Sequence, residues 1–226
     1  AGLAKTVLLV GAEVHTMFMP FGEASWARLD GRLDVPMPQD EWDFSTSVRH
    51  LAVLFGDGAA AVVVQAYEGD DRGVIDHIIG SDGADFDRLC VPGAGSSERP
   101  YVSEAVLKSG KQWPHMDGRY VFKLATTRMA EVAQQILTRN RVRPDDLAMV
   151  LMHQANRRIN EYVQKLLGLP DSKVLHNIQK YGNTTAATIP LLWDEAVRTG
   201  RIKPGDLVLT VAFGAGMSWG ANLIRA

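Results

Sequence analysis

The sequence predicts an α/β fold with a mainly parallel sheet covered by helices on both faces. Three observations lead to it. The last third alternates apolar strand-like runs with helical periods in the order β-α-β-α-β-β, with short connections. A long amphipathic pattern fills about Asp117 to Arg139, with Val121, Ala125, Met129, Val132 and Ile136 at helical spacing. The last two apolar runs are joined by Gly214-Ala215-Gly216, which marks an antiparallel addition to the sheet.

The elements follow in order. Lys5 to Val14 is a short apolar run with one lysine ahead of it and Glu13 and His15 at its end, so it reads as a buried strand rather than a signal peptide. Ala1-Gly2-Leu3-Ala4 has the look of a helix C-terminus running into that strand, and the chain is expected to begin mid-domain. Residues 16 to 46 mix Pro, Gly, Met and Trp with no sustained period, which predicts a long loop or flap. In LAVLFGDGAAAVVVQAY two apolar runs flank Gly56-Asp57-Gly58, a tight turn feeding a buried strand, with Asp57 as a turn residue. Gly73 to Gly80 alternates like a strand, and residues 81 to 115 are loop-like. After the long helix come a strand at 147 to 152, a helix at 156 to 168 ended by Gly168 and a strand at 173 to 178. A helix at 184 to 199 ended by Gly200 and strands at 206 to 213 and 217 to 224 complete the chain. A Phe-Gly-x-Gly turn between apolar runs occurs near residue 60 and again near 220, a hint of repetition. Residues 1–66 then read as the end of a first half and residues 67–226 as a second, similar half.

Bulk properties narrow the function classes. The 226 residues are 46% apolar and 22% charged, ordinary for a globular protein with a proper core. A net charge of −2 supplies no basic field for nucleic acid or a membrane surface. One cysteine excludes a disulfide within the chain and fits a reducing compartment such as the cytoplasm. No apolar run approaches the roughly 20 residues of a membrane span. His15, His50, His77, His115 and His176 show no metal-ligand spacing, so no metal is expected.

The chemistry concentrates at strand ends. In LMHQANRRIN an apolar strand runs directly into His153, Gln154 and Asn156. Asn183 follows the next predicted strand in YGNTTAA, thirty positions later, a spacing that matches one βαβ unit. Gly214-Ala215-Gly216 follows the last parallel strand. Ligands of open parallel sheets sit beyond the carboxyl ends of the strands, so these residues are expected to converge. An imidazole N–H, a carboxamide N–H and glycine-loop backbone N–H groups would suit a developing oxyanion or enolate in a dry pocket. Asn183 has a second reading as the N-cap of the helix beginning near Thr184, and the two roles are compatible.

MHQANRRI, YGNTTAA and AFGAGMSWG, with FGDGAAAVV and EAVRTGRIKPGDLVL, resemble 3-oxoacyl-acyl-carrier-protein synthase III, the fatty-acid initiation branch of the thiolase superfamily. The resemblance runs through the chain apart from the loops. It implies the thiolase-like fold, two similar halves in five αβαβα layers with mixed, mainly parallel sheets, and a homodimer. It also implies a Cys–His–Asn triad in which a cysteine takes an acyl group from acyl-CoA and condenses it with decarboxylated malonyl-acyl-carrier protein. No cofactor is needed beyond these thioester substrates. By motif, His153 and Asn183 would bind the malonyl thioester oxygen, and the loop of Gly214, Ala215 and Gly216 the thioester oxyanion. Asn156 falls at a pantetheine contact, Arg49 at a contact to the CoA nucleotide, and Lys123 and Arg158 at basic positions facing the carrier protein.

The family's nucleophile motif would precede Ala1, so the chain is expected to be the carboxyl-terminal part of a longer polypeptide. Cys90, in RLCVPGAGSS, is expected in a loop without the helix N-terminus or neighbouring cation that activates a thiolate. The 16 to 46 segment is longer than in the initiation enzymes. Its Met17, Phe18, Met19, Phe21, Trp26 and Trp42 would line an acyl tunnel, cap a dimer partner or pack on their own domain. Two rival functions stay open: acyl transfer to a hydroxyl or amine, and a non-condensing partner subunit.

Overall fold

The computed structural model describes residues 3–19, 21–93 and 95–226; the side chains of Met17 and Phe18 also fall outside the described set. The expectations for Ala1 and Gly2, and for Met17 and Phe18 as tunnel or interface residues, therefore lie outside the described residues.

The chain runs through β1 (Thr6–Glu13), α1 (Glu23–Leu29), α2 (Gln39–Ser47), α3 (Arg49–Ala52), β2 (Gly58–Gln65) and β3 (Gly73–Ser81). Next come β4 (Leu89–Cys90), α4 (Glu104–Ser109), β5 (His115–Met116), α5 (Gly118–Arg139) and β6 (Met149–Met152). The remainder is α6 (Arg157–Leu166), α7 (Ile178–Tyr181), α8 (Thr188–Arg198), β7 (Leu207–Gly214) and β8 (Ser218–Arg225).

The main sheet has the order β3-β8-β7-β6. It is mixed as expected, with β6–β7 parallel and the β7–β8 and β3–β8 pairs antiparallel. The parallel share is smaller than expected because the strand over 173 to 178 does not form. Val174 makes one isolated parallel bridge to Val150, and the chain turns into α7 at Ile178. The reason is local: the Asn177 N–H donates to the Gln154 side chain at 3.2 Å instead of entering a ladder.

Alternation along the central strands sorts the core into two layers. Val150 and Met152 of β6 join Leu209 and Val211 of β7 under α5 and α6. Met149 and Leu151 face the other way, with Val208, onto Leu192 and Ala196 of α8. Leu192 is fully buried there, which stabilises the layer by about 1.5–3 kcal/mol. The long helix forms as its period demands. Asp117 caps it by accepting the Tyr120 N–H at 3.1 Å, and its buried stripe runs from Val121 to Leu137.

On the far side of α8 lies an antiparallel ribbon of β1 and β2 in full register from Thr6–Gln65 to Glu13–Gly58. The strands themselves were legible, but the expectation that they are buried is corrected. Leu8 and Val63 stay 62% and 64% exposed, because α8 and the turn before it meet only part of the ribbon's surface. The apolar run Leu51–Phe55 is also not a strand; it belongs largely to α3 and the turn after it.

A second correction concerns residues 16 to 46. They contain α1 and α2 rather than a structureless loop. Neither helix is long enough to show a period. α1 is instead defined by a tertiary cap, in which Glu41 of α2 accepts the N–H groups of Ser25 at 2.6 Å and Ala24 at 3.3 Å. The 81 to 115 segment is loop-like apart from α4 and the two-residue pair β4–β5.

Candidate functional site

The site forms where β6 and β7 end. The His153 N–H donates to Val211 O at 2.9 Å, carrying the parallel ladder one step past the strand. Asn160 of α6 donates to the His153 carbonyl at 3.2 Å. Gln154 is fully buried and bridges two backbones, donating to Met152 O at 2.8 Å and accepting the Asn177 N–H. Asn177 in turn donates to Glu195 of α8 at 3.1 Å. The polar residues after the apolar strand therefore form a buried scaffold under the loop, with every named contact a hydrogen bond. Asn156 closes the loop as the N-cap of α6, its Oδ1 accepting the Arg158 N–H at 2.9 Å.

Asn183 is held from a different part of the chain. Its N–H donates to Leu54 O at 2.7 Å, and its carbonyl accepts the Gly56 N–H at 3.1 Å. The glycine-rich turn before β2 therefore acts as a clamp on the Asn183 loop. Gly56 is required at this crossing, because a Cβ would stand 1.9 Å from Tyr181 O. Gly182, at φ +68°, turns the chain into Asn183. The Asn183 Oδ1 accepts the Thr185 N–H at 2.8 Å, which leaves the carboxamide N–H groups as donors. The expected N-cap role is corrected: Thr184 is the N-cap of the short 3₁₀ turn and Ala187 that of α8, and the Asn183 contact is a local bond to the backbone two residues on.

His153 and Asn183 are joined through this turn. Thr188, at the start of α8, lies 2.6 Å from His153 Nδ1 and 2.9 Å from Thr185 O through its hydroxyl. Both side chains line one cavity of about 660 Å³. Asn156, Gly214 and Ala215 line it too, and its walls include Leu89, Val121, Phe122, Met129, Phe213 and Trp219. Burial in this setting lowers the His153 pKa to about 4, so the imidazole is neutral near pH 7. A neutral imidazole, a carboxamide N–H pair and a glycine loop in an apolar cavity can stabilise negative charge growing on an oxygen.

The structure therefore brings His153, Asn183, Asn156, Gly214 and Ala215 to one cavity. Gly216 sits outside the lining, at φ +136° in the turn between β7 and β8. Arg49 is exposed on α3 and does not line the cavity. Lys123 and Arg158 are exposed on α5 and α6, helices that pack on one another. Cys90 is on β4 rather than in a loop, donates its S–H to Asp87 O at 3.6 Å, and lines the cavity. His15, which carried no metal-ligand spacing, also lines it and stacks on Phe55 with centroids 4.5 Å apart. Gln154, Asn177 and Thr188 carried no signal in the sequence beyond their neighbours. Among the described residues no group of three or more His, Cys, Asp and Glu could hold a metal ion, and no helix is long and apolar enough to cross a membrane.

Comparison with known proteins bears on this geometry. Residues 137–226 match the family described as 3-oxoacyl-[acyl-carrier-protein (ACP)] synthase III C terminal, and residues 40–83 match 3-oxoacyl-[acyl-carrier-protein (ACP)] synthase III. The chain is 45% identical to a beta-ketoacyl-[acyl-carrier-protein] synthase III of Synechococcus sp. (strain WH7803), over 82% of this chain and 53% of the relative. It is 38% identical to one from Acaryochloris marina, over 99% of this chain and 59% of the relative. Its fold superposes on the 3-oxoacyl-(acyl carrier protein) synthase III of Pseudomonas aeruginosa PAO1 with a TM-score of 0.77 at 32% identity, covering 99% of this chain and 59% of that one. The Thermus thermophilus enzyme gives 0.76 at 34% identity, covering 100% and 60%. The fold is thus thiolase-like, and the chain spans between half and three fifths of the length of these proteins.

Proposed function

Because this chain belongs to the 3-oxoacyl-acyl-carrier-protein synthase III family, we propose that it carries the malonyl-activating site of a decarboxylating Claisen condensation. In that reaction a cysteine thiol takes the acyl group of an acyl-CoA, forming a cysteine thioester as the bond to the CoA sulfur breaks and CoA leaves as its thiol. Malonyl-acyl-carrier protein then loses CO2, and the electron pair of the broken C–C bond passes into an enolate. The enolate carbon attacks the acyl thioester, the cysteine thiolate leaves, and 3-oxoacyl-acyl-carrier protein results. His153 and Asn183 donate N–H bonds to the malonyl thioester oxygen as it takes up the enolate charge. Removing one such donor typically costs about 10²–10³ in rate. Of the Gly214–Gly216 loop, the backbone N–H groups of the cavity-lining Gly214 and Ala215 serve the oxyanion of the attacked thioester.

The observation that carries this reading is the convergence of the His153 and Asn183 side chains, linked through Thr185 and Thr188, on one apolar cavity. The acyl-accepting thiol is assigned outside residues 1–226, because Cys90 occupies a strand and directs its S–H to a carbonyl. Asn156 and Arg49 are assigned to the pantetheine and nucleotide of CoA. Lys123 and Arg158 are assigned to the acidic face of the carrier protein. The active assembly is a cytoplasmic homodimer that uses thioester substrates with no metal or cofactor. Residues 1–66 are the end of its first thiolase-like half and residues 67–226 its second.

The test uses the full-length polypeptide and two variants, His153→Ala and Asn183→Ala. Each is expected to lower malonyl decarboxylation about 10²-fold or more while leaving cysteine acylation by acyl-CoA largely intact. Unimpaired condensation in either variant would overturn the assignment, whereas a non-condensing partner subunit predicts no condensation even by the unsubstituted protein.

A further inference from the structure

Among the described residues Thr188 is the one side chain bonded to the ring of His153, and its hydroxyl has a single proton to give. Two acceptors compete for it. Thr185 O is 2.9 Å away, but it already accepts the Thr188 backbone N–H. His153 Nδ1 is closer, at 2.6 Å, and has no other partner among the described residues. A carbonyl already satisfied loses little if the hydroxyl turns away, whereas a buried imidazole nitrogen left unpaired carries a full desolvation cost.

We propose that Thr188 is a positioning residue that donates its hydroxyl proton to His153 Nδ1 and thereby holds the ring proton on Nε2. This assignment rests on the reading of His153 as a donor to the malonyl thioester oxygen, and it supplies what that reading requires. Burial keeps the imidazole neutral, so one ring nitrogen is bare and only the other can donate. Were Nδ1 the protonated atom, Nε2 would present a lone pair to the growing negative charge and repel it. The helix start thus does two things through one turn. Thr185 N–H occupies the Asn183 oxygen, which leaves the carboxamide to donate, and Thr188 Oγ–H occupies His153 Nδ1, which leaves Nε2 to donate.

The experiment combines spectroscopy and kinetics on the full-length protein. Nitrogen-15 NMR of the histidine rings, with His153 identified by its loss in His153→Gln, is expected to show Nδ1 with the shift of a bare nitrogen and Nε2 with that of a protonated one. Thr188→Val keeps the shape and removes the hydroxyl. It is expected to abolish that pure tautomer signature and to lower kcat for malonyl decarboxylation about 10- to 100-fold, short of the loss of the donor itself, with KM little changed. Thr188→Ser is expected to restore both. A protonated Nδ1 in the unsubstituted protein overturns the assignment even if Thr188→Val fails to fold. So does a folded Thr188→Val with unchanged tautomer and rate, or a Thr188→Ser that behaves like Val. The expected tautomer together with undiminished decarboxylation in His153→Ala would instead refute the function and leave the Thr188 bond standing.

Discussion

A histidine and an asparagine thirty positions apart became one site because three small residues hold them. Gly56 lets the turn before β2 cross the Asn183 loop, and Thr185 and Thr188 orient the two side chains. The crossing is intolerant of bulk, since no flexible side chain can yield: the obstructing atom is the Tyr181 carbonyl, at 1.9 Å from a built Cβ. Gly56→Ala is therefore expected to destabilise the protein by about 1–3 kcal/mol, the usual cost of overpacking. Urea unfolding measures this, and an unchanged midpoint would contradict the clamp. The candidate residues were legible because imidazole, carboxamide and glycine turn each followed an apolar run in the order a βαβ unit brings together. Thr188 was not, because a threonine at a helix start has many roles and only its 2.6 Å approach to His153 distinguishes this one. His15 and Cys90 were missed as cavity walls for a similar reason: their elements reach the cavity by tertiary packing, which no local pattern records.

At the scale of elements, length governed what could be read. α5, with its buried stripe from Val121 to Leu137, was plain from its period, as were β7 and β8 from their apolar runs. The predicted strand over 173–178 failed because a buried glutamine took the backbone N–H that a ladder needed. α1 and α2 were hidden because each is stabilised by the other, through Glu41, more than by its own residues. That contact titrates. The hydrogen bonds from the Ser25 side chain and backbone hold the Glu41 carboxyl below its ordinary value of 4.5. A folded pKa below the unfolded one adds stability that is present above pH 4.5 and is lost as pH falls through the lower folded value. The amides of residues 24 and 25 are accordingly expected to exchange hydrogen faster in Glu41→Ala at neutral pH. Acidification through that window should do the same to the unsubstituted chain. Equal protection in both proteins across pH would show that α1 does not depend on this cap.

At the scale of the whole molecule, the layers explain why the site sits where it does. α5 and α6 cover one face of the four-stranded sheet, α8 the other, and the β1–β2 ribbon lies beyond α8. The cavity opens where β6, β7, the start of α8 and the turn before β2 meet, so every layer contributes an edge to it. The sheet with its two helical layers was legible from the alternation of elements. The exposed ribbon was not, since an apolar strand is written the same way whatever covers it. Enolate stabilisation at this site requires His153 and Asn183 to address a single oxygen. A crystal structure of the full-length protein with a malonyl analogue whose thioester sulfur is replaced by nitrogen tests it most directly. His153 Nε2 and Asn183 Nδ2 are both expected within about 3 Å of the analogue's carbonyl oxygen. A carbonyl held by other groups, or the two side chains bonded to different atoms, would contradict it.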